Sequence, residues 1–193
     1  MSNNPVTYNP YRIIGVFAND SAKSRTANIG KMRAFFRVGK PFISNVDLTD
    51  IIGPVDRTAQ TLDSAISALS VTLDAAVSAL FWLHYNDLLN SENVDGLTSS
   101  TEEKILLEQG FYGDYSGYIN AAVLALTEED YETAARSYAV LLSSRKLFED
   151  FRTAVCIENI GNKEIISAFF KQICLSYPDE EWWNLFRENE YSS

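Results

Sequence analysis

The chain has 193 residues, 46% of them hydrophobic and 22% charged, which is the composition of a folded globular protein of one or two small domains. No run approaches the roughly 18 apolar residues of a membrane span, and the first residues carry no basic or apolar signal region, so we expect a cytoplasmic protein with no membrane partner. The net charge of −10 at pH 7 argues against nucleic acid as the main ligand.

Two helices are predicted near the N-terminus. Pro10 suits the first turn of a short helix over Tyr11–Gly15, which the glycine ends. The capping pair Asp20–Ser21 and the spacing of the apolar residues predict a second helix over Ser21–Val38. Its apolar side, which we expect to face the core, consists of Ala27, Met32, Phe35, Phe36 and Val38.

This second helix lies in a positively charged stretch. Residues 1–57 carry a net charge of +4 and residues 58–193 carry −14, and no acidic residue occurs between Ser21 and Val46. Such a field attracts an acidic protein surface. The cations that we expect to bind this partner are Lys23, Arg25, Lys31, Arg33, Arg37 and Lys40.

A long loop and two further helices follow. Glycines and prolines mark residues 39–56 as a loop, with one short turn near Leu48–Ile52. Thr58 is a predicted helix cap, and the apolar period continues to Leu69. After an interruption at residues 70–74, the period resumes in a second helix that we expect to reach Tyr85.

The run Asn9-Pro10-Tyr11-Arg12-Ile13-Ile14-Gly15-Val16, the basic second helix and the paired helices to residue 86 resemble a J-domain. In that family, four helices form the module with which co-chaperones engage the ATP-dependent heat-shock chaperone. The loop here reads Gly39-Lys40-Pro41-Phe42-Ile43, is longer than the family's loop and lacks the His-Pro-Asp tripeptide. The resemblance therefore implies a degenerate J-like domain over residues 5–90 that does not stimulate the chaperone ATPase.

The rest of the chain also has the helical period. Predicted helices cover residues 101–109, 118–126, 131–143, 145–157, 163–175 and 179–190. The segment from Asp130 to Leu142 resembles the second helix of a tetratricopeptide repeat, with Ala134 and Tyr138 where that motif packs neighbouring helices. We therefore predict an all-α protein whose residues 91–193 form a tetratricopeptide-like domain.

No catalytic, metal or cofactor motif is present in the sequence. A nucleophilic cysteine would need a histidine, and the single histidine, His84, is expected to bond a nearby carbonyl at a helix end. Cys156 and Cys174 lie in apolar helical patterns and are expected to be buried free thiols. The favoured function is a non-enzymatic protein-interaction module, and the alternative is an enzyme with a site between the two helical domains.

Overall fold

The computed structural model describes residues 4–85 and 114–177, which form nine α-helices and no β-strand. The predicted all-α class is confirmed for these residues. The expected helices at 101–109 and 179–190, and the boundary between residues 90 and 91, lie outside them. The helices are α1 (Pro10–Ile14), α2 (Ala22–Arg37), α3 (Thr49–Ile52), α4 (Ala59–Ser70), α5 (Thr72–Leu80), α6 (Tyr115–Thr127), α7 (Tyr131–Ser143), α8 (Arg145–Ala154) and α9 (Asn162–Ser176).

Asn9 ties α1 to the end of α5. Its Oδ1 accepts from the Tyr11 backbone N–H at 3.0 Å and so caps α1. Its Nδ2 donates to the backbone carbonyls of Ser78 and Phe81 at 2.8 and 3.2 Å. These carbonyls lie at the end of α5, where a helix leaves acceptors without internal partners. The helix accordingly ends at Leu80, five residues before the predicted end.

Gly15 ends α1 and allows the long loop to approach closely. It adopts the left-handed conformation, with φ of 76°, and its N–H bonds the carbonyls of Tyr11 and Arg12. A Cβ atom at this position would lie 2.7 Å from the Cβ of Ser44. The hydroxyl of Ser44 donates to the Gly15 carbonyl at 2.8 Å. The prediction that Gly15 ends α1 is confirmed. The same residue also contacts the long loop through Ser44.

The helix α2 is attached to the rest of the molecule along one narrow side. Met32 is its only buried residue, and Ile29 and Phe36 are partly buried against the core. Phe35 is 40% exposed and Val38 is 66% exposed, and Ala27 is exposed as well. The expectation that all five apolar residues face the core was therefore wrong for these three. Neighbouring elements reach only one side of α2, so apolar spacing alone overstated its burial.

The second half begins with a helical hairpin. A three-residue turn joins α6 to α7, and Asp130 caps α7 by accepting from the Thr133 backbone N–H at 3.1 Å. Ala134 and Tyr138 are fully buried, as expected for residues that pack neighbouring helices. The helix α8 packs on both α6 and α7, and α9 packs on α5.

The core is continuous through the segment Leu80–His84, in which every residue is at most 1% exposed. The Trp82 Nε1–H donates to the Val16 carbonyl at 2.8 Å. From the other side, the Tyr138 hydroxyl donates to the Leu80 carbonyl at 2.6 Å. Phe81 stacks on Phe169 with ring centroids 5.1 Å apart. The helices before residue 85 and those after residue 114 thus share one hydrophobic core.

The two cysteines are less buried than the sequence suggested. Cys156 is exposed and Cys174 is half-buried. The expected helix to Ile157 ends at Ala154, and Cys156 lies in the following turn with a left-handed φ of 56°. The expectation of a buried thiol was wrong for Cys156 because the chain turns out of the helix before it, whereas Cys174 lies within α9 and is only partly buried.

Within residues 4–85 and 114–177, no single helix is long and apolar enough to cross a membrane. Among the described helices, α4 and α5 reach the length and apolar composition of a membrane span only when they are taken together. The chain bends by 106° between them.

Candidate partner-binding surface

The ends of α2 are fixed by its own sequence. The Ser21 side chain accepts from the Ser24 backbone N–H at 3.1 Å and caps the first turn. At the other end, Gly39 has a φ of 65° and its N–H bonds the Phe36 carbonyl at 3.1 Å, while the Lys40 N–H bonds the Phe35 carbonyl at 3.0 Å. This pair of bonds is a Schellman motif. The cations on α2 are therefore carried by a helix with defined ends.

Two of the six predicted binding cations are engaged with this chain. The guanidinium of Arg25 donates to the Asp20 carbonyl at 2.8 Å and is half-buried. Arg33 forms an ion pair with Asp63 of α4 at 3.2 Å, and both side chains are more than half exposed. Exposed pairs of this kind contribute little to stability. Arg25 belongs to the attached side of α2, whereas Arg33 remains accessible to solvent.

The other four cations, Lys23, Lys31, Arg37 and Lys40, are exposed. None forms an ion pair with any residue of the described ranges. At about 100° per residue, Lys23, Lys31, Arg33 and Arg37 all fall on the half of α2 opposite Met32. Lys40 follows directly after the helix. The structure thus places five of the six residues on the exposed, positively charged half of α2 or directly after it, and places Arg25 on the attached side with Met32.

A buried ion pair that the sequence did not reveal holds the loop that follows α2. Arg57 and Asp47 have side chains that are 5% and 4% exposed, and both guanidinium Nη atoms bond the Asp47 carboxylate. Arg57 also donates to the carbonyls of Arg12, Ile13 and Phe42. All five of its N–H donors are thereby used. This satisfied pair fastens the loop of residues 39–56 to α1.

Arg12 is a second buried cation. It is fully buried and bonds backbone carbonyls only, donating to Asp47 at 3.0 Å, Thr7 at 3.0 Å and Gly53 at 2.5 Å. Burial lowers the pKa of Arg12 to about 10, although the Asp47 carboxylate opposes this shift. Arg12 remains charged at neutral pH and holds both ends of the short helix α3. The positive charge counted for residues 1–57 therefore includes two cations that no partner can reach.

One feature of the sequence indicates that Arg12 is buried. Arg12 stands between Tyr11 and Ile14 in a helix of only five residues, so it has little room to avoid the core. No comparable sign exists in the sequence for Asp47 and Arg57, which meet only when the loop folds back on α1.

His84 is a buried, neutral side chain. It is fully buried, and its Nε2 lies 2.9 Å from the Ala79 carbonyl, which confirms the expected bond to a nearby carbonyl. Burial lowers the pKa of His84 to about 4. Its Nδ1 has no hydrogen-bond partner among the described residues, and its ring contacts those of Tyr115 and Phe151. Because a carbonyl oxygen can only accept, Nε2 carries the proton of the neutral ring.

A small cavity of about 140 Å³ lies where the N-terminal segment meets the hairpin of α6 and α7. It is lined by polar and apolar side chains, including those of Asn4, Thr7, Ile52, Leu126, Glu129 and Tyr131. Glu129 is the single carboxylate among its described lining residues.

No cluster of three or more potential metal ligands occurs in the described ranges. Comparisons of the chain with protein-family models, with curated proteins and with solved structures find no match. The exposed basic surface of α2, with the loop that follows it, is consequently the feature on which a functional proposal has to rest.

Proposed function

We propose that this chain is a non-enzymatic protein-interaction module that holds an acidic surface of a partner protein. The observation that carries the proposal is the exposure of Lys23, Lys31, Arg37 and Lys40 without an ion pair to any described residue. The absence of acidic residues between Ser21 and Val46 leaves their charge locally uncompensated. Arg33 adds to this surface, whereas Arg25 lies on the attached side of α2.

A protein fits this surface better than nucleic acid does. The whole chain carries a net charge of −10, which disfavours a polyphosphate ligand. Phe35 is exposed beside the cations, and an exposed aromatic ring can stack on a nucleic-acid base. Nuclease treatment therefore separates the two ligands experimentally.

The J-domain resemblance suggests the class of partner. A short helix, a basic helix, a long loop and two consecutive helices occur in this order over residues 10–80, which supports a chaperone-related adaptor. The position of the missing His-Pro-Asp tripeptide is occupied by a loop that Arg57 fastens through Phe42 and Asp47. We expect no acceleration of ATP hydrolysis by the heat-shock chaperone in a single-turnover assay. Acceleration equal to that of a true co-chaperone would contradict this part of the proposal.

The test of the interaction uses affinity capture from native-host extract. In the test variant, Lys23, Lys31, Arg37 and Lys40 are replaced by glutamate. In the control variant, Arg145, Lys146, Lys163 and Lys171, which are exposed elsewhere, receive the same change. We expect the parent and the control to capture the same proteins after nuclease treatment, and the test variant to lose them. Salt at about 1 M, where the screening length is about 3 Å, should mimic this loss.

If the test variant captures the same proteins as the parent at low salt, the basic surface only keeps the helix solvated and the proposal is wrong. If capture disappears after nuclease treatment, the ligand is nucleic acid and the proposal is equally wrong.

A further inference from the structure

Large apolar side chains are exposed directly beside the cations at the end of α2. Phe35 is 40% exposed, Val38 is 66% exposed and Ile43 is 77% exposed. They are three of the eight exposed large hydrophobic residues in the described ranges, and they lie within nine consecutive positions. Scattered exposed apolar residues are normal, but a cluster of them is typical of an interaction site.

The backbone that carries this cluster is held in place. The Schellman motif fixes Phe35, Val38 and Lys40 relative to one another. Phe42 then packs edge-on against Phe35, with ring centroids 5.7 Å apart. The guanidinium of Arg57 bonds the Phe42 carbonyl and lies 5.4 Å from the centre of its ring.

Ile43 stands between two anchored residues. Phe42 precedes it, and Ser44 follows with its N–H bonded to the Asp47 carboxylate at 3.0 Å and its hydroxyl bonded to Gly15. The loop is thus fixed on both sides of an isoleucine whose side chain remains largely in water. Because the cost of ordering this segment is already met in the free protein, a ligand can bury Ile43 with little further loss of entropy.

We propose that the patch formed by Lys31, Phe35, Arg37, Val38, Lys40 and Ile43, here called the apolar–basic patch, binds an acidic protein segment that also carries large apolar side chains. This inference deepens the proposed function and rests on it. Charge complementarity selects the acidic residues of the segment, since no carboxylate occurs in this chain between Ser21 and Val46. Charges attract the segment over a distance, whereas Phe35, Val38 and Ile43 would bury apolar surface against it in the complex.

A membrane surface is the less suitable occupant. Stable attachment to an anionic bilayer needs a long apolar helix face or a lipid anchor in addition to positive charge. In this patch, the exposed large apolar residues lie only at one end of α2 and in the adjacent loop.

The test measures fluorescence anisotropy with two labelled peptides of equal length and charge. One alternates glutamate with leucine and phenylalanine, and the other carries serine in place of these apolar residues. The test variant is Val38→Ser with Ile43→Ser. The control variant is Val71→Ser with Val140→Ser, which alters two valines that are 50% and 41% exposed elsewhere. Circular dichroism verifies that both variants are folded.

We expect the parent and the control variant to bind the apolar acidic peptide at least about tenfold more tightly than the serine peptide. The test variant should lose this preference and keep its weak affinity for the serine peptide. Equal binding of both peptides by the parent would overturn the inference and leave the proposed function intact. Binding of neither peptide, at low salt, would count against both.

The same variants are then mixed with vesicles of phosphatidylserine and phosphatidylcholine. We expect no sedimentation of the parent with these vesicles. Vesicle binding that depends on Val38 and Ile43 would assign the patch to a membrane and overturn the inference.

Discussion

The positive charges of the first 57 residues divide into two groups with opposite environments. Arg12 and Arg57 are buried, and every bond that they form is to this chain's carbonyls or to Asp47. Lys23, Lys31, Arg37 and Lys40 are exposed and form no ion pair with a described residue. The two groups are indistinguishable in a count of charges, yet one group organises the fold and the other is available to a partner.

The difference follows from the cost of removing a charge from water. A buried cation must have its donors satisfied, so Arg12 and Arg57 determine where the loop of residues 39–56 can lie. The donors of an exposed lysine bind water, so its charge does not constrain the fold, and its position follows from the helix that carries it. Substitutions in the two groups should therefore have very different effects on stability.

The largest effect is expected for Asp47→Ala. This change leaves the guanidinium of Arg57 buried without its carboxylate, and removing one partner of a buried pair costs about 3–5 kcal/mol of unfolding free energy. Urea denaturation measures the loss. The matched control is Asp63→Ala, which removes the exposed partner of Arg33 and should cost less than about 1 kcal/mol. Similar losses of unfolding free energy in the two variants would contradict the distinction between buried and exposed charges.

A second buried polar group should make stability depend on pH. The pKa of His84 is about 4 in the folded protein and 6.5 in the reference state, so the unfolded chain binds more protons between these values. The contribution of neutral His84 is therefore complete above pH 6.5 and is lost as the pH falls towards 4. At 1.36 kcal/mol per pKa unit, the difference amounts to about 3 kcal/mol.

The comparison for His84 is His84→Gln, which takes up no proton in this range and keeps a donor for the Ala79 carbonyl. Urea denaturation at several pH values should show the parent losing stability relative to the variant as the pH falls from 6.5 to 4. A constant difference between them would mean that His84 does not titrate as its burial implies.

An intermediate effect is expected where the loop fastened by Arg57 meets Gly15. Gly15→Ala places a methyl group 2.7 Å from Ser44 and also requires an alanine with positive φ, so we expect a loss of about 2–4 kcal/mol. Gly39→Ala requires positive φ with no atom within 4 Å of the new methyl group. It should cost only about 1–2 kcal/mol in thermal or urea denaturation. Equal losses would show that Ser44 moves aside freely.

The smallest effect on stability is expected for the four exposed cations. Replacing Lys23, Lys31, Arg37 and Lys40 by glutamate should change the unfolding free energy by less than about 1 kcal/mol, because exposed charges contribute little. The midpoint of urea unfolding checks this. A loss comparable with that of Asp47→Ala would show that the exposed group also supports the fold.

Much of the local structure was predictable because its causes lie close together in the sequence. Pro10 and Gly15 bound α1, Ser21 caps α2, and Thr58 caps α4, as the spacing of these residues predicted. The break between the predicted helices 118–126 and 131–143 also matches the turn between α6 and α7. Each signal acts within a few residues, so it can be read without knowing what the segment packs against.

The candidate surface was only partly predictable. The sequence identified the cations on and after α2, but it assigned Phe35 and Val38 to the core and so missed the apolar half of the patch. The net charge counted for residues 1–57 also included Arg12 and Arg57, whose side chains are buried. Helical periodicity reports which residues share a side of a helix, but it does not report how much of that side a neighbouring element covers.

By itself, the sequence determined the helical class, the ends of most described helices and the concentration of positive charge before residue 57. Only the tertiary structure decided which of these charges are buried, because Asp47 reaches Arg57 through a folded loop. It also decided that Ile43 stands in solvent on a fixed backbone. Local signals depend on adjacent residues, whereas burial depends on every element that the fold brings to the same place.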